Sequence, residues 1–129
     1  MIKEITEAIP PLKKAIGDWV AKETGIVTVS ADTLEVATTA IDAYGDTVYC
    51  FVQKQGTQYL VTDDSRILFK LDPGVSDTDL YQTAAEMAIG SGYDFDEATC
   101  AISMQVDQTD VVQTIVKLAQ LQVAISYLG

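Results

Sequence analysis

The sequence predicts an α+β fold, and three observations support that class. Residues 47–52 are all β-branched, aromatic or small apolar, as in a strand that is buried on both faces. A polar segment containing Gly56 follows, where the chain can reverse, and strand composition returns at Tyr59. Elsewhere, apolar residues recur at steps of three and four, the period of amphipathic helices. We therefore expect an antiparallel sheet centred on residues 46–62, with helices near 11–22, 77–89 and 108–127.

The first helix is predicted from a stripe of large apolar residues interrupted by Pro10-Pro11, since an interior proline removes a hydrogen bond and clashes with the preceding turn. The stripe consists of Ile2, Ile5, Ile9, Leu12, Ile16 and Trp19. We expect a short first turn and then a firmer helix from Pro11 to about Lys22, because proline suits a helix start. Gly25 ends it, and we expect this helix to cover the core.

The segments around the central hairpin complete the sheet and add the second helix. Apolar and β-branched residues predict strands at 26–29 and 34–39, whereas residues 67–71 fit either a strand or one helical turn. After the break at Asp72-Pro73-Gly74, the pattern of Ser76 and Asp79 resembles a capping box that opens the helix. Residues 93–95 and 99–106 predict a second hairpin.

The last helix, near 108–127, is apolar around most of its circumference. Asp107 is expected to cap it, and its polar stripe is only Gln113, Lys117 and Gln120. A helix of this kind is either deep in the core or shared with a partner. We expect a homodimer in which copies of this helix meet about a two-fold axis. Leu121 and Ile125 lie either at that contact or in the core.

Length and cysteine usage indicate one α+β domain over residues 1–129, in the cytoplasm. No apolar run approaches the ~20 residues that span a bilayer, and the start of the chain lacks the apolar segment of a signal peptide. Cys50 and Cys100 lie far apart in sequence, so we expect two reduced core thiols.

Charge and the missing histidine exclude several function classes. Without histidine there is no Ser-His-Asp or Cys-His nucleophile pair and no imidazole base. The net charge of −11 repels nucleic acid and anionic membranes, so we expect no direct binding to either.

An acidic cluster is the candidate site. With a turn near Gln55, antiparallel pairing places Thr47 opposite Asp63 and Asp46 opposite Asp64. The cluster then consists of Asp42, Asp46, Asp63 and Asp64, with Glu35 as a further candidate member. Converging carboxylates repel unless a cation neutralises them, which predicts a Mg²⁺ or Ca²⁺ site. The simpler alternative is that these aspartates cap turns.

The stretch from Leu34 to Leu71 resembles a family from phages and prophages of Gram-positive bacteria, catalogued as domain of unknown function 1828. The family usually has proline where this chain has Ala40 and glycine where it has Ser65. Such a resemblance implies a phage-like context and no assigned activity. The matching positions are Glu35, Thr39, Asp42, Asp46, Tyr49, Tyr59-Leu60 and Thr62-Asp63-Asp64.

Two functions from different classes follow. The first is a non-enzymatic interaction protein that binds a basic surface of a host protein, with no catalytic residue and no cofactor. Its candidate contacts are Asp72, Asp77, Asp79, Asp94, Asp96 and Glu97. The second is a metal-binding protein or metal-dependent hydrolase using the four clustered aspartates. The first is favoured because the chain has no general base and no motif tied to a reaction.

Overall fold

The structure is a computed structural model that describes residues 4–74 and 76–129, so Ile2 of the first apolar stripe lies outside the described residues. Within these ranges the helices are α1 (Ile9–Glu23), α2 (Arg66–Leu71), α3 (Thr78–Gly90) and α4 (Val111–Ser126). The strands are β1 (Gly25–Thr28), β2 (Thr33–Ile41), β3 (Thr47–Gln55), β4 (Gln58–Thr62), β5 (Asp94–Phe95) and β6 (Ile102–Val106). Short 3₁₀ turns precede α1 and α4.

The six strands form one sheet in the order β1-β2-β3-β4-β6-β5, and every neighbouring pair is antiparallel. This confirms the predicted α+β class, with the central hairpin in the middle of the sheet and the three helices close to their predicted positions. Residues 66–71 are helical, which settles the choice that their composition left open. Helix α3 is capped by Asp77, whose carboxylate accepts from the Leu80 amide at 3.0 Å, one residue after the predicted cap at Ser76.

The predicted register of the central hairpin is wrong. Gln55 pairs with Gln58 and Phe51 with Thr62, so the chain reverses at Gly56-Thr57, where Gly56 has a φ of +64°. Strand β4 ends at Thr62, whereas β3 begins at Thr47. The expected pairing of Thr47 with Asp63 is therefore off by three residues, or about 10 Å along the strand. Consequently the two pairs of aspartates do not converge.

Helix α4 packs across β2, β3, β4 and β6 and supplies much of the core. Leu118 and Ile125 are fully buried, and Leu121 is 8% exposed. Of the two positions that the sequence left open for Leu121 and Ile125, the structure therefore shows the core of their own chain. The exposed apolar residues of this helix are Val112 and Val116.

Helix α1 does not cover the core, contrary to expectation. All of its residues, 9–23, are exposed. Helix α4 already packs against β2 and β3, and α1 contacts the sheet at β2. None of the helices among the described residues is both long enough and apolar enough to cross a bilayer.

Candidate functional site

The candidate site is a cavity of about 520 Å³ between helix α2 and the start of strand β3. We call it the cleft. The loop between β2 and β3 forms one side, and the side chains of α2 form the other. Its lining residues are Asp42, Gly45, Asp46, Thr47, Val48, Tyr49, Arg66, Ile67, Lys70 and Gln122.

Two of the predicted aspartates meet in this cleft around one lysine. Lys70 Nζ donates to Asp42 Oδ2 at 2.7 Å and also to Asp46 Oδ2. The other carboxylate oxygen of Asp42 accepts from the backbone amides of Tyr44 (2.9 Å) and Asp46 (3.1 Å), which fixes the loop. Burial of Asp42 raises its pKa, but Lys70 and the two amides together outweigh that effect and leave the pKa lowered. The two carboxylates in turn raise the pKa of Lys70.

Arg66 provides the second positive charge of the cleft. Its guanidinium carbon lies 5.3 Å from the ring centre of Tyr49 and 4.9 Å from that of Phe51, both within cation–π range. Its Nη2 lies 3.5 Å from Glu35 Oε2 on β2. The arginine is thus held flat against the sheet.

Asp63 lies apart from the cleft carboxylates and acts as a buried hydrogen-bond acceptor. Its side chain is fully buried. One oxygen accepts from the amides of Ile102 (2.9 Å) and Ser65 (3.0 Å), and the other accepts from the amide of Ile67 (3.3 Å). Burial raises its pKa, although the three amides oppose that effect. Asp63 therefore joins the end of β4 to the start of β6 and to helix α2.

Asp64 is exposed, and both it and Ser65 adopt left-handed backbone conformations, with φ of 55° and 64°. Glycine takes up this conformation without steric cost, so the backbone at Ser65 would accept glycine. The turn keeps the Asp63 carboxylate directed inward.

The structure thus brings Asp42 and Asp46 together and places Asp63 and Asp64 elsewhere. Across residues 4–74 and 76–129 there is no group of three or more His, Cys, Asp or Glu side chains that could hold a metal ion. Metal binding by the four aspartates stays a prediction, and any ion at Asp42 and Asp46 would have to compete with the Lys70 ammonium.

The chemistry of the cleft is that of paired charges. Lys70 is paired with both Asp42 and Asp46, and Arg66 is paired with Glu35, so these five side chains together carry a net charge of only −1. The neighbouring Cys50 is no ready nucleophile, because burial and the charge of Asp63 raise its pKa to about 12. The cleft therefore offers polar binding groups rather than an activated base or nucleophile.

Sequence reasoning missed Arg66 and Lys70, the two basic residues of the cleft. They are four residues apart, which places both side chains on one face of a helix. This spacing indicates a shared face only if residues 67–71 are helical. The sequence alone did not distinguish a helical turn from a strand there.

A second group of carboxylates, which we call the acidic face, lies around the start of α3 and along β5 and the turn that follows it; α3 and β5 are in contact. Asp72 accepts from the amides of Ser76 and Asp77, both at 2.7 Å, and Asp96 accepts from those of Ala98 and Thr99. The Tyr81 hydroxyl donates to the backbone carbonyl of Asp72 at 2.9 Å. Burial and then the charge of Asp72 raise the pKa of Tyr81, and burial and then the charge of Asp96 raise the pKa of Cys100. The six carboxylates of this face are Asp72, Asp77, Asp79, Asp94, Asp96 and Glu97.

The acidic face and the cleft differ in how their charges are compensated. The ion pairs among the described residues join Lys70 to Asp42 and Asp46, Arg66 to Glu35, and Lys14 to Asp18. None of them involves a carboxylate of the acidic face. Its charges are therefore balanced by turn and cap amides at most, and remain available to a cationic partner.

Comparison with known proteins gives one family. The family described as "Domain of unknown function DUF1828" has a model that matches residues 38–125, which include the cleft, Asp63 and the acidic face. No curated protein and no solved structure matches the chain.

Proposed function

The chain belongs to the family of domain of unknown function DUF1828, and from that premise we propose that it is a non-enzymatic interaction protein whose acidic face binds a basic surface of a host protein. The observation that carries the proposal is that the carboxylates of the cleft are in ion pairs while those of the acidic face are not. Asp42 and Asp46 of the cleft are paired with Lys70, and the neighbouring Glu35 with Arg66, whereas the six carboxylates of the acidic face lie outside every ion pair of residues 4–74 and 76–129.

The net charge supports the same function. The chain carries eight basic and nineteen acidic residues, and residues 72–129 hold only one of the basic ones, Lys117. A surface of this sign accelerates encounter with a basic partner and disfavours nucleic acid. Fixed amides hold Asp72, Asp77 and Asp96 in place, which lowers the ordering cost of binding.

The setting is part of the proposal. The resemblance of residues 34–71 supports a phage or prophage context, in which a small acidic protein acts on a host enzyme. Cys50 and Cys100 are free thiols, which supports a reducing compartment such as the cytoplasm.

The experiment compares three tagged proteins in affinity purification from a bacterial host. The test variant combines Asp79→Asn, Asp94→Asn and Glu97→Gln, because these three side chains have no cap bond among the described residues. The control variant combines Glu4→Gln, Asp18→Asn and Asp110→Asn, which removes the same charge elsewhere. Wild type and control should retain the same basic partner, and the test variant should lose it.

A kinetic measurement with the purified partner then examines the mechanism. The association rate constant should fall at least tenfold between about 50 and 500 mM salt, as expected for electrostatic steering. Equal capture by all three proteins, or an association rate independent of salt, would refute the role of the acidic face.

A metal site at Asp42 and Asp46 is the alternative proposal. Its support is that the two carboxylates meet around one position, which Lys70 Nζ occupies, so a bound cation would have to displace this ammonium group. Such a site would use Mg²⁺ or Ca²⁺, because its ligands are carboxylate oxygens.

A further inference from the structure

Helix α1 exposes a complete amphipathic stripe that the rest of its own chain leaves uncovered. Ile5, Ile9, Leu12, Ile16 and Trp19 recur at helical spacing, and each is between 56% and 85% exposed. A 15-residue helix is about 22 Å long, so the stripe extends over several turns. Isolated helices of this length are marginal in water and depend on packing of their apolar face. The stripe therefore requires a covering surface.

Residues 25–129, which we call the body of the chain, carry an apolar groove of about 330 Å³ between helix α4 and strands β1 and β2. The helix of its own chain reaches this groove only with Val20 and Thr24, at and just after its last turn. The apolar lining from the body comes from Ile26, Val36, Ala40, Val112, Ile115, Val116 and Ala119. A helix face without a cover and an apolar groove without an occupant thus exist on one molecule.

We propose that two copies of this chain form a two-fold dimer in which α1 of each copy packs its apolar stripe into the α4 groove of the other. A two-fold axis makes the two contacts identical and closes the assembly, because residue i meets residue j and j meets i. This inference does not depend on the proposed binding to a basic partner, which uses a different face.

Charge identifies a second copy as the occupant. Residues 1–24 contain four basic and four acidic residues, whereas residues 25–129 contain four basic and fifteen acidic ones. Two bodies of such negative charge repel each other. Residues 1–24, which we call the arm, have no net charge and carry Lys13, Lys14 and Lys22 on their helix. The arm can therefore approach the body of a second copy without this electrostatic repulsion.

The exposed apolar area matches what such a dimer needs. Nine large apolar residues of the α1 stripe and the groove region are at least 40% exposed: Ile5, Ile9, Leu12, Ile16, Trp19, Val20, Ile26, Val112 and Val116. At roughly 50 Å² each they present on the order of 450 Å² of apolar surface per copy. A standard interface buries about 800 Å² per partner, of which roughly 60% is non-polar, so these side chains supply its apolar share.

Light scattering of full-length variants tests whether α1 packs into the groove of a second copy. Wild type should have about twice the monomer mass of 13.9 kDa at micromolar concentration. An arm variant, Leu12→Glu with Ile16→Glu, and a groove variant, Val112→Glu with Val116→Glu, should both be folded monomers by circular dichroism. Each should weaken dimerisation at least ~100-fold, because two charges would be buried at the contact. The control, Phe69→Glu with Ile89→Glu, alters equally exposed apolar residues elsewhere and should remain dimeric.

Mixing the two monomeric variants identifies the contact. In an arm-to-groove dimer, the intact arm of the groove variant meets the intact groove of the arm variant, so the mixture should form heterodimers although neither variant does alone. A dimeric groove variant would instead indicate arm-to-arm contact and overturn the proposal. A monomeric wild type would overturn it as well. Flotation of that monomer with phosphatidylcholine–phosphatidylserine vesicles would then assign the stripe to a membrane surface.

Discussion

The position of Asp63 leads to a prediction whose magnitude follows from its hydrogen bonds. In Asp63→Asn, the amide oxygen can keep the two bonds from Ile102 and Ser65, which meet one carboxylate oxygen. The new NH₂ group then faces the Ile67 amide, so one buried donor loses its acceptor. An unsatisfied buried donor costs about 1–3 kcal/mol. We expect Asp63→Asn to lower the free energy of unfolding by that amount, and Asp63→Ala, which orphans the buried Ile67 and Ile102 donors, by about 2–6 kcal/mol.

Asp64→Asn is the matched control, since it makes the same substitution one residue along at an exposed position. It should change the free energy of unfolding by no more than about 0.5 kcal/mol. The assay is urea unfolding followed by circular dichroism with linear extrapolation. Equal stabilities of Asp63→Asn and wild type, or an equal loss in Asp64→Asn, would refute the structural role of Asp63.

The pH dependence of Asp63→Asn gives an independent check. The folded-state pKa of Asp63 is raised above its ordinary value of 3.8, chiefly by burial. The folded state therefore binds its proton more strongly than the unfolded state does. Wild-type stability should fall, through this group, as pH rises from 3.8 through the raised pKa. Asp63→Asn should lack that fall, and an unchanged pH profile would contradict the assignment.

Three further predictions concern the cleft and helix α4. Lys70→Met should destabilise the fold by about 1–3 kcal/mol, because the buried Asp42 loses its cation. In wild type, the stability linked to the lowered pKa of Asp42 should be lost as pH falls below 3.8. Lys14→Met, which breaks an exposed ion pair, is the control and should cost no more than about 0.5 kcal/mol in the same urea assay. Millimolar Mg²⁺ or Ca²⁺ should raise the melting temperature of wild type and of Asp79→Asn but not of Asp46→Asn if the metal proposal holds, and an unshifted wild type would contradict it. Leu121→Glu with Ile125→Glu should unfold the chain by circular dichroism, since both side chains lie in the core, and a folded monomer would instead place them at an interface.

The fold was predictable where composition alone specifies the element. Residues 47–52 form a buried strand because their β-branched and aromatic side chains suit a central position, and α4 was evident from its continuous apolar pattern. The register was not predictable, because Gly56 permits several turns and the one formed at Gly56-Thr57 moves the pairing by three residues. An alternating pattern would distinguish such turns, but residues 47–52 suit burial on both faces and show no alternation.

The candidate site was predictable only in part, for related reasons. Asp42 and Asp46 share a short loop, so their proximity followed from sequence. The buried position of Asp63 was not predictable, because its acceptor role depends on amides from Ile102 and Ile67, which tertiary structure brings together. Helix α1 shows the same limit: its stripe is amphipathic in sequence, but whether the core or another surface covers it depends on where α4 packs.

The measurement that tests the central claim most directly is an amide chemical-shift titration of the full chain with a decaarginine peptide at low salt. The claim is that the charges of the acidic face are available to a basic partner while those of the cleft are already paired. The amides of Asp79, Asp94 and Glu97 should shift, those of Asp42, Asp46 and Lys70 should not, and 500 mM salt should abolish the shifts. Shifts centred on Asp42 and Asp46, or none at the acidic face, would contradict the account.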